Sequence, residues 1–232
     1  GCVKQNRRRE FSLPLVDTRA YAERLVMYLL QKNHITVLNQ PVSASNNNQF
    51  TLVSHYSRSL TEMLKLMLKR SNNFIANALY RKIGSHYFQK QGTWELSHQA
   101  ITQIFAKNNI KPDGKMKTYE GAGLSRANQV TPMQFLTMLV RIWQQPEIAN
   151  VLIPSLPASG VKGSTLTRRM TEPDMRGRVK AKTGWMRGIT ALSGYLKTKY
   201  GEQLAFSITV KDARKRNYKN LIDKICRLLV NK

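Results

Sequence analysis

A chain of 232 residues, 41% of them hydrophobic, is long enough to bury a real core as one domain or a domain with an appendage, and is globular. Its net charge of +25 and pI near 10.5 raise nucleic acid as a partner, since clustered Lys and Arg release counterions from phosphate. The 38 basic residues are instead scattered through every segment, without a zinc-finger, RRM or KH signature, so the charge reads as a solvated surface in an acidic or polyanionic setting and no nucleic-acid partner is expected.

Cys2 and Cys226 sit at opposite ends, with neither metal spacing nor a disulfide ladder. No apolar run approaches the ~20 residues of a membrane span, and no signal-peptide core opens the chain. No integral membrane segment is expected, and the chain reads as cytosolic or as a mature or truncated product.

Residues 1–12 form a polar, basic lead-in. Asp17 is a plausible N-cap for a helix running through Val26, Leu29 and Leu30. Ile35–Leu38 and Thr51–Tyr56 read as short strands around a polar loop, Ser43–Gln49. From Leu60 to Lys69 the apolar positions fall at helical spacing. The run halts at Arg70-Ser-Asn-Asn73, and a second helical run, Phe74–Ile83, ends at Gly84. Ser71-Asn-Asn73 therefore lies at a junction of two helices, where Ser and Asn are also ordinary caps and interrupters.

Glu95–Ala106 reads as a helix and Tyr119–Arg126 as a tight glycine-bearing loop. Thr131 and Pro132 suit the N-cap and first position of a helix through Phe135, Leu139 and Ile142. Ile153–Gly160 reads as irregular because of its prolines. Arg178–Trp185 alternates as a half-buried strand, with Lys182 a cation on one face. Ile189–Thr198 and Gln203–Lys211 suit a hairpin, and Tyr218–Leu229 a closing amphipathic helix. Helices, three strands and a final helix suggest an antiparallel sheet covered by helices.

Four of these elements carry a family resemblance. Ser71-Asn-Asn73, Glu120-Gly-Ala-Gly-Leu-Ser-Arg126, the Leu156–Leu166 segment with Gly160 and Gly163, and Lys182-Thr-Gly184 occur in the order seen in penicillin-binding D-alanyl-D-alanine carboxypeptidases of the class C, DacB-like type. The resemblance runs from about Leu13 to Val210. It implies an α/β (α+β) fold, β-lactamase/transpeptidase-like, with an antiparallel sheet flanked by helices and an incomplete N-terminal portion.

The resemblance also implies roles. Ser71 shuttles a proton toward the leaving amine, and Asn73 hydrogen-bonds the substrate amide. Lys182 holds positive potential over the site, and Thr183 adds a hydroxyl donor to the substrate's terminal carboxylate. Gly184 lets a backbone approach without a Cβ in the way. Trp185 stands where the family has Ser or Thr, and either stacks over the substrate stem or packs on a neighbour; Arg187 restores the lost carboxylate contact. Glu120 and Asn77 replace frequent Asp and acidic residues and keep their polarity.

The family's S-x-x-K motif, which supplies the acylated serine and its base, has one literal match, Ser159-Gly-Val-Lys162. It lies in a Pro/Gly-rich segment rather than on a helix, where residues three apart share a face, and is rejected as the nucleophile. The whole chain, 1–232, thus reads as the C-terminal part of a penicillin-binding domain, inactive alone. The full-length protein would be a periplasmic carboxypeptidase/endopeptidase acting on peptidoglycan stem peptides and binding β-lactams, with no metal or organic cofactor. With N-terminal strands missing, one sheet edge and part of the last helix's apolar face would lie uncovered, inviting self-association. Two alternatives stand beside this reading: a non-catalytic basic module for polyanions or nucleic acid, and a degenerate cell-wall-binding scaffold.

Overall fold

A computed structural model describes residues 15–37, 53–110, 116–212 and 217–232. The chain divides into two compact units, Gly1–His55 and Tyr56–Lys232. The basic lead-in, Cys2 and the loop Ser43–Gln49 lie outside the described residues.

In the first unit, α1 (Thr18–Lys32) opens as expected. The Asp17 carboxylate accepts the Ala20 N–H, satisfying one of the donors that a helix start leaves free. The strands expected at Ile35–Leu38 and Thr51–Tyr56 are not found: residues 35–37 and 53–56 carry no strand, and the remaining positions are outside the described set. A few alternating apolar residues make a strand only when a neighbouring strand offers a ladder, and none pairs with them among the described residues.

The second unit holds α2 (Leu60–Arg70), α3 (Asn73–Phe88), α4 (Trp94–Lys107), α5 (Pro132–Trp143), α6 (Pro146–Ser155), β1 (Val179–Met186), β2 (Ile189–Lys197), β3 (Gln203–Lys211) and α7 (Lys219–Val230). Capping chemistry sets several of the starts. Ser59 with Glu62 and Thr131 with Gln134 form reciprocal capping boxes, and Pro132 fills the first position of α5.

Two expected helix ends are displaced. Gly84 does not stop α3, which continues to Phe88; a Cβ there would stand 2.6 Å from the Ser97 backbone nitrogen, so glycine serves the close approach of α3 and α4. Ile153-Pro-Ser155, expected to be irregular, forms the last turn of α6. The Ser155 hydroxyl donates to Val151 O at 2.7 Å, taking up a carbonyl near the point where the proline interrupts the ladder.

The strands form one antiparallel sheet in the order β1-β2-β3, as expected. Alternation sends Val179 and Ala181 to one face, where they join Leu192, Leu196, Phe206 and, from α7, Ile222, Cys226 and Val230 in the main core. Fully burying a side chain such as Leu192 or Ile222 contributes about 1.5–3 kcal/mol. Cys226, in that apolar setting, has its thiol pushed up to about 12 by burial. Lys180 and Lys182 take the other face, where Tyr195 packs on Leu139 of α5 and Leu156.

The sheet's two edges differ. Beyond β1, Pro157–Ser159 pairs with the strand's first half, through Ala181 N–H to Pro157 O and Ser159 N–H to Val179 O, both at 2.9 Å. β3 pairs only with β2 among the described residues. On α7, Leu221 and Leu228 remain 47% and 73% exposed.

Candidate active site

The site is assembled where the α2–α3 joint meets the middle of β1. Ser71 ends α2 in the left-handed region, φ 53°, and Asn72 starts α3 by accepting the Ile75 N–H on its side-chain oxygen. The two helices are thus separated by a joint of two capping residues, which turns the Ser71 hydroxyl outward. Non-glycine residues pay for this conformation, and such strain persists where the surroundings enforce it.

Lys182, on β1, donates from Nζ to Ser71 Oγ at 2.9 Å and to the Thr183 carbonyl at 2.7 Å. Burial alone lowers the Lys182 pKa from its usual value of 10.5. A lysine that donates to a serine oxygen leaves the serine's own hydroxyl proton free to point elsewhere. Residues 111 positions apart in sequence are therefore brought into one hydrogen-bonded pair.

Thr183 is held beside them: its hydroxyl donates to Thr165 Oγ1 at 3.1 Å, and the Thr165 N–H donates to the Lys69 carbonyl in the last turn of α2 at 3.2 Å. Thr165 thus links helix and strand across the site. Nothing in the sequence singles it out, because its importance lies in a contact between segments far apart along the chain. Gly184 faces Ala191 across the ladder, and Trp185, 64% exposed, faces Thr190. Asn73, the first residue of α3, is exposed and makes no side-chain hydrogen bond among the described residues.

A second wall is the loop of residues 119–126. The Glu120 carboxylate accepts the backbone N–H groups of Ala122, Leu124 and Ser125 at 2.7–3.0 Å, together with the Asn128 side chain at 2.8 Å. Asn77 Oδ1 accepts from the N–H groups of Gly121 and Ala122, both at 3.0 Å, fastening the loop to α3. A Cβ on Gly121 would come within 2.5 Å of the Ala76 carbonyl, so only glycine fits this approach. Both positions that depart from the acids of the resemblance are therefore loop braces. Arg126 then donates to the Arg187 carbonyl at 2.7 Å, joining this loop to the β1–β2 turn. The Arg187 side chain itself is exposed.

Ser159 lies elsewhere in the protein's interior. It is fully buried, donates to Met175 O at 2.6 Å and accepts the Val179 N–H at 3.2 Å, while Lys162 is exposed. Its hydroxyl is consumed in holding the turn before β1.

An antiparallel sheet flanked by helices, with a lysine of β1 turned toward a serine at a helix joint, places the chain in the fold class shared by penicillin-binding proteins and β-lactamases. The chain belongs to the D-Ala-D-Ala carboxypeptidase 3 (S13) family, which matches it over residues 1–232. It is 30% identical over 209 residues to a D-alanyl-D-alanine carboxypeptidase DacB of Haemophilus influenzae, covering 89% of this chain and 43% of that protein. It is 34% identical over 200 residues to a D-alanyl-D-alanine carboxypeptidase of an Actinomadura species, covering 83% of this chain and 36% of the relative. Penicillin binding protein 4 (dacB) of Haemophilus influenzae, solved in complex with a β-lactam, superposes with a TM-score of 0.76 at 27% identity over 94% of this chain and 51% of that one. The chain thus spans less than half the length of these two curated relatives.

Proposed function

We propose that this chain supplies the substrate-gripping wall of a serine-type carboxypeptidase/endopeptidase that acts in the periplasm on D-Ala-D-Ala-bearing peptidoglycan stem peptides and is acylated by β-lactams. The observation that carries this reading is the 2.9 Å bond from Lys182 Nζ to Ser71 Oγ, formed between two motifs of the resemblance. The chain corresponds to the C-terminal part of the penicillin-binding domain, and the acylated serine with its own lysine comes from residues outside this sequence. Ser159 does not take that role, since attack requires an accessible hydroxyl with an adjacent base.

In this scheme the Lys182 ammonium, donating to Ser71 Oγ, orients the serine so that its proton can pass to the departing amine of the terminal D-Ala. The same positive charge and Arg187 hold the free carboxylate of the substrate, and the Thr183 hydroxyl adds a donor by turning its one proton from Thr165 Oγ1 to that carboxylate. Asn73, exposed at the start of α3, hydrogen-bonds the peptide amide, and Gly184 leaves room for the substrate backbone along β1. Trp185 stacks on the stem peptide in place of a hydroxyl. No step calls on a metal or organic cofactor.

Labelling with a fluorescent penicillin tests the reading. The protein rebuilt at full length is expected to label, and Ser71→Ala or Lys182→Ala to slow acylation by about 10²–10³-fold, as when a proton carrier or a charge-stabilising donor is removed. This chain by itself is expected not to label. A band on it that vanishes with Ser159→Ala would overturn the assignment, and full-length protein that binds stem peptide without acylation would replace it with a cell-wall-binding scaffold.

A further inference from the structure

A groove of about 790 Å³ lies on the α5–α6 side of the sheet, and none of Ser71, Asn73, Lys182 and Thr183 lines it. Apolar side chains line its floor. Trp143, 47% exposed, leans on Tyr195 with ring centroids 5.8 Å apart, beside Pro146 and Pro154. Its rim is cationic, formed by Arg176, Arg178, Lys180 and Lys197, and no acidic residue lines it.

The strand register accounts for this grouping. Lys180 stands directly opposite Tyr195 across the β1–β2 ladder, and Lys197 lies two residues beyond Tyr195 on the same face. Arg178 donates to the Thr198 carbonyl at 3.0 Å, which fixes its guanidinium at the rim. Arg176, Lys180 and Lys197 enter no ion pair among the described residues. Like charges gathered without a counter-charge repel one another, and a half-open indole leaves apolar surface in water. One ligand relieves both if it combines negative groups with a flat, weakly polar face.

We propose that this groove binds an anionic glycan strand, with a sugar-ring face on Trp143 and its carboxylate or phosphate groups among Arg176, Lys180 and Lys197. A sugar ring presents C–H bonds to the electron-rich face of an indole, and guanidinium and ammonium groups bind either anion. Single-stranded nucleic acid fits less well, because successive bases need a series of open rings. Here Tyr195 is 2% exposed, with its hydroxyl donating to Leu139 O, so Trp143 is the one ring of the pair left open.

Calorimetric titration of the full chain separates the possibilities. Tetragalacturonate and pentamannosyl phosphate distinguish carboxylate from phosphate, while maltotetraose supplies the sugar without charge and tripolyphosphate the charge without sugar. At least one anionic glycan is expected to bind more tightly than either control. The double variant Arg176→Gln/Lys197→Gln is expected to weaken that binding by about tenfold or more, the loss of two charge-assisted contacts. Trp143→Phe, which keeps a ring against Tyr195, is expected to weaken the glycan but not tripolyphosphate. Lys219→Gln/Lys224→Gln, the same change of charge on α7, is expected to leave binding within about twofold. The proposal is overturned if tripolyphosphate, maltotetraose or a short oligothymidylate binds as tightly as both anionic glycans, or if the α7 variant loses as much affinity as the groove variant.

Discussion

Ser71 and Ser159 occupy opposite kinds of environment in the same unit. Ser159 carries the textual signature of a nucleophile, with Lys162 three residues on, yet it is buried and both sides of its hydroxyl are engaged by backbone groups. Ser71 has no lysine three residues on, where Phe74 stands, yet its oxygen is exposed and receives a hydrogen bond from Lys182. Chemistry follows what a hydroxyl faces, and stability follows what it is tied to.

Substituting the two serines separates these roles. Ser159→Ala leaves the Val179 N–H without its buried partner and takes one of two donors from the Met175 carbonyl, which keeps the Arg178 N–H, and is expected to cost about 1–3 kcal/mol in urea unfolding. A loss no larger than that of an exposed serine would show that the hydroxyl is not needed by the fold. Asn77→Ala, which frees the loop of residues 119–126 from α3, is expected to cost about 1–2 kcal/mol, with hydrogen exchange speeding up at Gly121 and Ala122. Unchanged exchange at those amides would place the loop's support elsewhere.

At the joint the sign should reverse. Ser71 holds φ 53° without being glycine, so Ser71→Gly is expected to raise stability by about 0.5–1 kcal/mol while removing the hydroxyl that Lys182 contacts. A destabilised Ser71→Gly variant would mean that the hydrogen bond outweighs the backbone strain. The smallest effect is that of pH on Lys182. Its folded pKa lies below 10.5, so the burial penalty is fully present at neutral pH, where both folded and unfolded forms are charged. As pH rises from the lowered value toward 10.5, the folded form releases its proton first and stability gains. Lys182→Gln is expected to lack this alkaline gain; identical pH profiles for the two proteins would disprove the link.

Local chemistry made much of this architecture readable in advance. Asp17, Thr131 and Pro132 announce helix starts through rules that act within a few residues, and Lys180, Ala181 and Lys182 announce a strand by alternation. The ordered motifs then point to Ser71 meeting Lys182. What could not be read depends on partners distant in sequence. Gly84 looks like a helix stop until Ser97 is seen against it, and Ile35 and Val53 look like strand residues although no ladder pairs with them among the described residues. Thr165 is invisible for the same reason. Asn77 and Glu120 stand out in the sequence as departures from a pattern, but their bracing of the glycine loop is visible only in the backbone N–H groups they hold.

The Thr165 link has a consequence for how this site can change over generations. Its tie to α2 uses the main-chain N–H, which every residue except proline possesses, while only the outer bond to Thr183 uses a side chain. The gap between the helix joint and the strand is therefore inherited from the path of the backbone rather than from the identity of the residue at position 165. A substitution at an exposed neighbouring position such as Trp185 therefore leaves the spacing between Ser71 and Lys182 in place.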